Sequence, residues 1–258
     1  GCHSFTGIEP KFEVVKSIDC NQLPYFPIME HTELKFDLGT MNGHQIGIFH
    51  NFFNLNGPQE HALYYITKLA KALGASTYIQ TFSSGAYEAT SYPNVSLVED
   101  IIPIFEKPVR TPVLCRKPFD LSAAQLSAFS HCILASYHGP EFPTPHESNG
   151  IHKCGAQQIT LGSVKGLLLA NALGLKPYGV ADGAYKGTLG TDPVNDKLDV
   201  VLQSCRNASK DVFSVVSAIL SSVQSTSNGA SLSFTENPQH KAIQWNDCQP
   251  ERQNEQED

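Results

Sequence analysis

Apolar residues recur along this chain with two different periods. Between His61 and Leu73, Leu63, Ile66, Ala70 and Leu73 fall three to four positions apart, the spacing that lines one face of a helix, and Gly74 follows where a helix stop is expected. The flanking segments Gln45–Phe52 and Thr77–Phe82 are short apolar runs that end at polar turns, which predicts strands. Strand, helix and strand in that order make a β-α-β unit. A second unit runs from a predicted strand at His131–Ser136, through a helix at Pro145–Lys153, to a strand at Gln157–Leu161. A third helix follows, with Ser163 as its predicted N-cap and Leu167, Leu168, Leu169 and Ala172 along it, and Gly174 stops it before a strand at Leu175–Ala181. Asp196–Val223 reads as a long amphipathic helix with Leu198, Val201, Leu202, Val212, Val215, Val216 and Ile219 on one buried face; a break at Asn207-Ala208-Ser209 makes two shorter helices the alternative. The alternation of strands and helices predicts an α/β fold.

From Gln224 onward serine, asparagine, glutamine and acidic residues take over. That stretch has too little apolar surface to offset the entropy of ordering, so 224–258 is expected to be a disordered tail, with Trp245 as an anchoring side chain. The remaining 1–223 are expected to form one domain. The whole chain has 258 residues, 41% hydrophobic and 17% charged, enough to bury a single full core.

Charge narrows the partners. The formal net charge is −7, and the only arginines are Arg110, Arg116, Arg206 and Arg252, which argues against nucleic acid. No apolar run reaches the length of a membrane span, and no basic-then-apolar leader opens the chain, so a cytoplasmic protein without membrane contact is expected. The chain begins at Gly1 rather than Met, which leads us to expect further residues upstream. Seven cysteines lie at wide, unpatterned spacings, the mark of reduced core thiols rather than a disulfide or zinc framework. Two N-x-S triplets, at Asn94 and Asn207, would matter only in a secreted chain.

Two catalytic patterns fall short. Thr81–Gly85, TFSSG, is not G-x-S-x-G and has no spaced His and Asp to complete a triad. His131, Cys132, His146, His152 and Cys154 lack strong ligand spacing, so no metal is expected. Glu147, three residues after Thr144, is read as a helix-start carboxylate.

A series of landmarks in fixed order says more. GCHSFTG opens the chain; LPYFP (Leu23–Pro27), LGTMNG (Leu38–Gly43), FHNFFNLNGP (from Phe49) and TFSSGAYE (from Thr81) follow; the block from Gly139 to Val180 carries GPEFPTPHE and NALGLKPYG. Together they resemble the trimeric, low-molecular-mass purine nucleoside phosphorylase and methylthioadenosine phosphorylase family, of which this chain looks like a divergent member. The resemblance implies a nucleoside phosphorylase-like fold, a twisted mixed sheet flanked by helices. It also implies a homotrimer, or an assembly with a paralogue or larger complex, and a purine or nucleoside ligand. No cofactor is implied, phosphate being a co-substrate only if the chain is active.

By the same resemblance, Ser4, Asn51 and Ser84 would face phosphate, and Leu55, Phe82, Ser83, Gly85, Phe142, Pro143, Leu161 and Tyr185 would line the purine and ribose pocket. Several of these depart from the family pattern. Asn51 and Phe53 stand where the family has a guanidinium and an imidazole, Leu55 and Asn56 where it has an aromatic residue and a carboxylate. Pro143 replaces a base-binding glutamate, Tyr185 an asparagine that supports the leaving purine nitrogen, and Leu161 a methionine beneath the ribose. Pro143 has neither a carboxylate nor an N–H. Asn51, Phe53, Pro143 and Tyr185 are therefore vestigial catalytic positions. The reading that follows is a phosphorylase homologue that is inactive or strongly impaired and serves as a binding or structural subunit. The alternatives are an active phosphorylase with a rearranged site and a non-catalytic purine or nucleoside sensor.

Overall fold

A seven-stranded mixed sheet with flanking helices dominates the computed structural model. The structure describes residues 12–27, 34–50, 60–89, 91–103, 119–137, 142–188 and 197–223. All belong to one compact unit, Gly1–Gln224, and the unit Ser225–Asp258, with the expected tail, lies outside them. A small antiparallel sheet comes first: β1 (Glu13–Asp19), β2 (Lys35–Met41) and β3 (His44–Phe49), in that order, with β2 and β3 joined by the Asn42-Gly43 pair that tight hairpins favour. Phe36 of β2 stacks on Phe49 of β3 at 4.2 Å and buries itself against Ala62, Leu63 and Ile66 of α1 (Glu60–Ala72).

The strands of the large sheet are β4 (Thr77–Phe82), β5 (Ser84–Ala86), β6 (Ser96–Ile102), β7 (Ser130–Ser136), β8 (Gln158–Thr160), β9 (Lys176–Ala181) and β10 (Tyr185–Lys186). Their order across the sheet is β10-β5-β8-β7-β6-β9-β4. Parallel pairs dominate (β4 with β9, β6 with β7, β7 with β8, β5 with β10), while β5 runs antiparallel to β8 and β6 touches β9 antiparallel through Ser96 and Leu97 alone. The helices are α2 (Pro145–Lys153), α3 (Lys165–Ala172), α4 (Leu198–Asn207) and α5 (Ser209–Ser222). One face of the sheet takes α5, whose Val212, Val215, Val216 and Ile219 pack with Tyr178 and Val180. Elsewhere Val164 and Leu167 cover Phe82, Val98, Cys132 and Leu134.

Most predicted elements lie where the periodicities put them, and the strand predicted at Gln45–Phe52 ends at Phe49, with 51 and 52 outside the described residues. Two expectations change. Ser163 is not the N-cap of α3: Val164, fully buried and already helical in its backbone, takes that place without a side-chain cap, because its burial among Phe82 and Leu134 sets where the helix begins. The Ser163 hydroxyl still accepts from the Lys165 N–H at 3.3 Å. The single helix over Asp196–Val223 is instead α4 and α5, divided at Ala208. Leu198, expected to be buried, stands at the first residue of α4 and is 63% exposed, while Val201 and Cys205 further along the same helix are buried.

Candidate functional site

The C-terminal ends of β4, β7, β8 and β9 converge, since Phe82 pairs with Ala181 and Thr160 pairs with both Ser136 and Ser84. Open α/β sheets place ligands at such strand ends. Two segments run side by side here. The TFSSGA turn and the ADGAYK turn are laced together by Asp182 N–H to Phe82 C=O at 3.0 Å, and by Ala184 N–H to Ser84 C=O and Gly187 N–H to Ala86 C=O, both at 2.8 Å.

Ser84, fully buried, is the hub of a polar network beneath that lacing. Its N–H donates to Asp182 Oδ1 at 2.8 Å, its hydroxyl donates to Gln158 Oε1 at 2.8 Å, and that hydroxyl accepts from the Gly183 N–H at 2.9 Å. Asp182 Oδ1 also accepts from the Ala184 N–H at 3.1 Å. Gln158 Nε2 donates to Asn94 C=O at 3.0 Å and to Ser96 Oγ at 3.1 Å, and Thr160 Oγ1 donates to Ser83 C=O at 2.7 Å while accepting from the Gly162 N–H. Buried polar atoms are stable only when paired in this way. Gly183 makes the close approach possible: its φ is +52°, and a Cβ there would lie 2.3 Å from Asn94 O.

An aromatic wall stands beside the network. Tyr185, 8% exposed, meets the partly exposed Phe142 edge-to-face at 5.8 Å. The far side of Tyr185 packs with Ala184, Val201 and Cys205, and Cys205 Sγ sits 2.9 Å from Ser83 Oγ. Phe142 and the buried Pro143 lead directly into α2, whose start is held by a capping box: the Glu147 N–H donates to Thr144 Oγ1, and the Thr144 N–H donates to Glu147 Oε2 at 2.8 Å. The backbone hydrogen bond from Thr144, followed by that of its hydroxyl, holds the Glu147 carboxyl below its ordinary range. Glu147 is thus the helix-start carboxylate that its spacing from Thr144 predicts. Behind the wall, the Ser148 hydroxyl donates to Gly187 C=O at 2.6 Å and lies 3.2 Å from Tyr87 OH, and Tyr87 stacks on His152.

The described candidate residues Phe82, Ser83, Ser84, Gly85, Phe142, Pro143, Leu161 and Tyr185 gather on these strand ends and the loops that follow them. Ser4, Asn51, Phe53, Leu55 and Asn56 lie outside the described residues. Among the described residues no group of three His, Cys, Asp or Glu side chains is arranged to hold a metal ion. His152 is engaged instead by Ala156 C=O at 2.9 Å and Glu88 at 3.3 Å, and His131 by Glu99 at 3.7 Å. Burial, and then the charge of Glu99, pushes the Cys132 thiol up to about 12. Asp182, Gln158, Thr160 and Cys205 were not anticipated. Their trace in the sequence is faint: a polar Asp182-Gly183 step ending an apolar strand, and glutamine and threonine flanking Ile159.

The sequence matches no protein-family model and no curated protein. Solved structures do match. A Schistosoma purine nucleoside phosphorylase in complex with hypoxanthine superposes with a TM-score of 0.72 at 14% identity, over 85% of this chain and 88% of that one. Isoform 2 of the Schistosoma mansoni enzyme, in complex with cytosine and ribose-1-phosphate, gives 0.69 at 18% identity over 87% and 88%. The fold is that of the nucleoside phosphorylases. At this identity the likeness speaks for the architecture, and what the site does has to be argued from its own residues.

Proposed function

We propose that this chain is a purine nucleoside phosphorylase homologue without appreciable phosphorolysis, acting as a binding or structural subunit. The observation that carries the reading is Ser84. The resemblance would aim its backbone amide at phosphate, yet that N–H goes to Asp182, its hydroxyl is shared between Gln158 and Gly183, and its carbonyl takes the Ala184 N–H. A group saturated internally gains nothing by turning toward an anion. Pro143 has no carboxylate and no N–H to give a base, and Tyr185 buries a ring where the resemblance implies an amide supporting the leaving nitrogen.

The magnitudes favour loss of turnover. A charge-assisted hydrogen bond contributes about 1.5–3 kcal/mol, and a single donor to developing negative charge about 2.7–4 kcal/mol of barrier lowering. Losses at the anion, the base and the leaving group would slow phosphorolysis by several orders of magnitude, although such contributions do not add. The decisive experiment incubates the full chain with inosine, guanosine, adenosine or methylthioadenosine and phosphate, and follows release of free base. No release above background is expected; release at the rate of an active phosphorylase, dependent on phosphate, rejects the reading. The proposal extends to a homotrimer, or to assembly with a paralogue or larger complex, which mass measurement in solution checks. It also extends to a cytoplasmic setting, which cell fractionation checks; no helix among the described residues is long and apolar enough to cross a membrane.

A further inference from the structure

We propose that the turn carrying Tyr25 is a contact surface for a second copy of this chain, which it meets about a two-fold axis. The surface shares no residue with the site at the strand ends, so it stands or falls independently of the functional reading.

The Phe26 N–H donates to Leu23 C=O at 3.1 Å, closing a four-residue turn with Pro24 second and Tyr25 third. Tyr25 has a φ of +60°. Proline fixes a negative φ at the second position, so a positive φ at the third makes this a type II turn, which calls for glycine or asparagine there. A tyrosine is a steric outlier in that conformation. The fold gains little burial in return, since Tyr25 is 70% exposed. Residues held in such conformations persist where the surroundings over-determine them, and they cluster at functional positions. Here the frame is firm: the Tyr65 hydroxyl donates to Pro24 C=O at 2.9 Å, and the buried Phe26 meets the Tyr65 ring edge-to-face at 5.2 Å. A side chain presented from a fixed backbone binds at a lower entropic cost.

The charge pattern fits a second copy as the occupant. The chain carries a formal net charge of −7, so two copies repel wherever their acidic surfaces meet. From Cys20 to Pro27, CNQLPYFP, there is no Asp, Glu, Lys, Arg or His. About a two-fold axis each patch faces its own duplicate, so a charge-free patch around a tyrosine suits the centre of a self-contact. Exposed Pro24 and Tyr25, with the partly exposed Leu23, Pro27 and Tyr65, supply its apolar area. Tyrosine is among the residues that carry most of the binding energy at interface centres.

The test is the mass of the full chain by sedimentation equilibrium. A two-fold contact requires an even number of copies, whether the unit it joins is a single chain or a ring of three. Tyr25→Asn and Tyr25→Gly, both suited to a type II turn, should halve that mass. Val15→Thr, which alters another exposed apolar side chain, should leave it unchanged. At dilutions where the parent has itself dissociated, Tyr25→Asn should melt about 2–4 °C above the parent, because the turn relaxes. An odd number of copies in the parent overturns the proposal, as does a mass unchanged in both Tyr25 variants or halved equally by Val15→Thr. A melting temperature below the parent's at those dilutions also overturns it, because the ring would then serve the fold. The assay for base release judges the functional reading separately.

Discussion

Replacing Gln158 with leucine tests whether the buried polar network holds the site together. The side chain is 1% exposed and makes three hydrogen bonds: it accepts from the Ser84 hydroxyl at 2.8 Å and donates to Asn94 C=O at 3.0 Å and Ser96 Oγ at 3.1 Å. Each is worth about 0.5–1.5 kcal/mol net, and leaving a buried partner unpaired costs more than the bond itself. Two partners have a fallback, since Ser84 Oγ reaches Asp182 Oδ1 at 3.4 Å and Ser96 Oγ reaches Asn94 C=O at 3.3 Å. The burial of leucine offsets a further part. The expected loss is therefore about 2–3 kcal/mol, or roughly 4–12 °C in Tm for a domain of this size. Urea denaturation followed by circular dichroism measures it, with the slope of the transition unchanged. Gln157→Ala is the control. Its side chain gives one exposed bond, to the Ile133 N–H at 2.8 Å, and its loss should cost less than about 1 kcal/mol. A Gln158→Leu variant within about 0.5 kcal/mol of the parent would refute the reasoning, since surface changes of no consequence fall in that range.

Gly183→Ala should lose at least about 2 kcal/mol by the same measurement, because the new methyl meets Asn94 O at 2.3 Å in a backbone at φ +52°; a variant as stable as the parent would show that this crossing of loops is not rigid. Asp120 is held down to about 2, mainly by the Ser122 hydroxyl and then by Lys176, whose Nζ lies 3.1 Å away and ties the 119–129 segment to β9. Its folded-state pKa lies below the ordinary 3.8, so its stabilisation is full above about pH 4 and disappears as pH falls through about 2. The Tm difference between parent and Asp120→Asn should accordingly be largest near neutrality and close on acidification, and a constant difference would contradict the assignment.

Local signals in the sequence placed the helices, though not the start of α3 at Val164 or the exposure of Leu198 at the start of α4. Leu63, Ile66 and Ala70 mark α1 by spacing alone, Thr144 and Glu147 announce α2 three residues apart, and Asn207-Ala208-Ser209 marks where the last helix divides. Each depends on residues within a turn or two of one another, and such interactions form largely independently of the rest of the chain. The short strands β5 and β10 carry no such signal, because two or three residues show no periodicity and owe their existence to neighbours supplied by the fold. The same holds for the site. Ser84 was singled out through its resemblance to a phosphate-facing turn, but its partners Gln158, Asp182 and Gly183 lie 74, 98 and 99 residues further along. Whether a serine hydroxyl faces a ligand or closes a buried network depends on which groups reach it through space. The sequence alone thus placed the helices approximately and gave the order of landmarks, whereas tertiary contact decided that Ser84 turns inward and that Tyr185 is buried against Gly85 and Phe142.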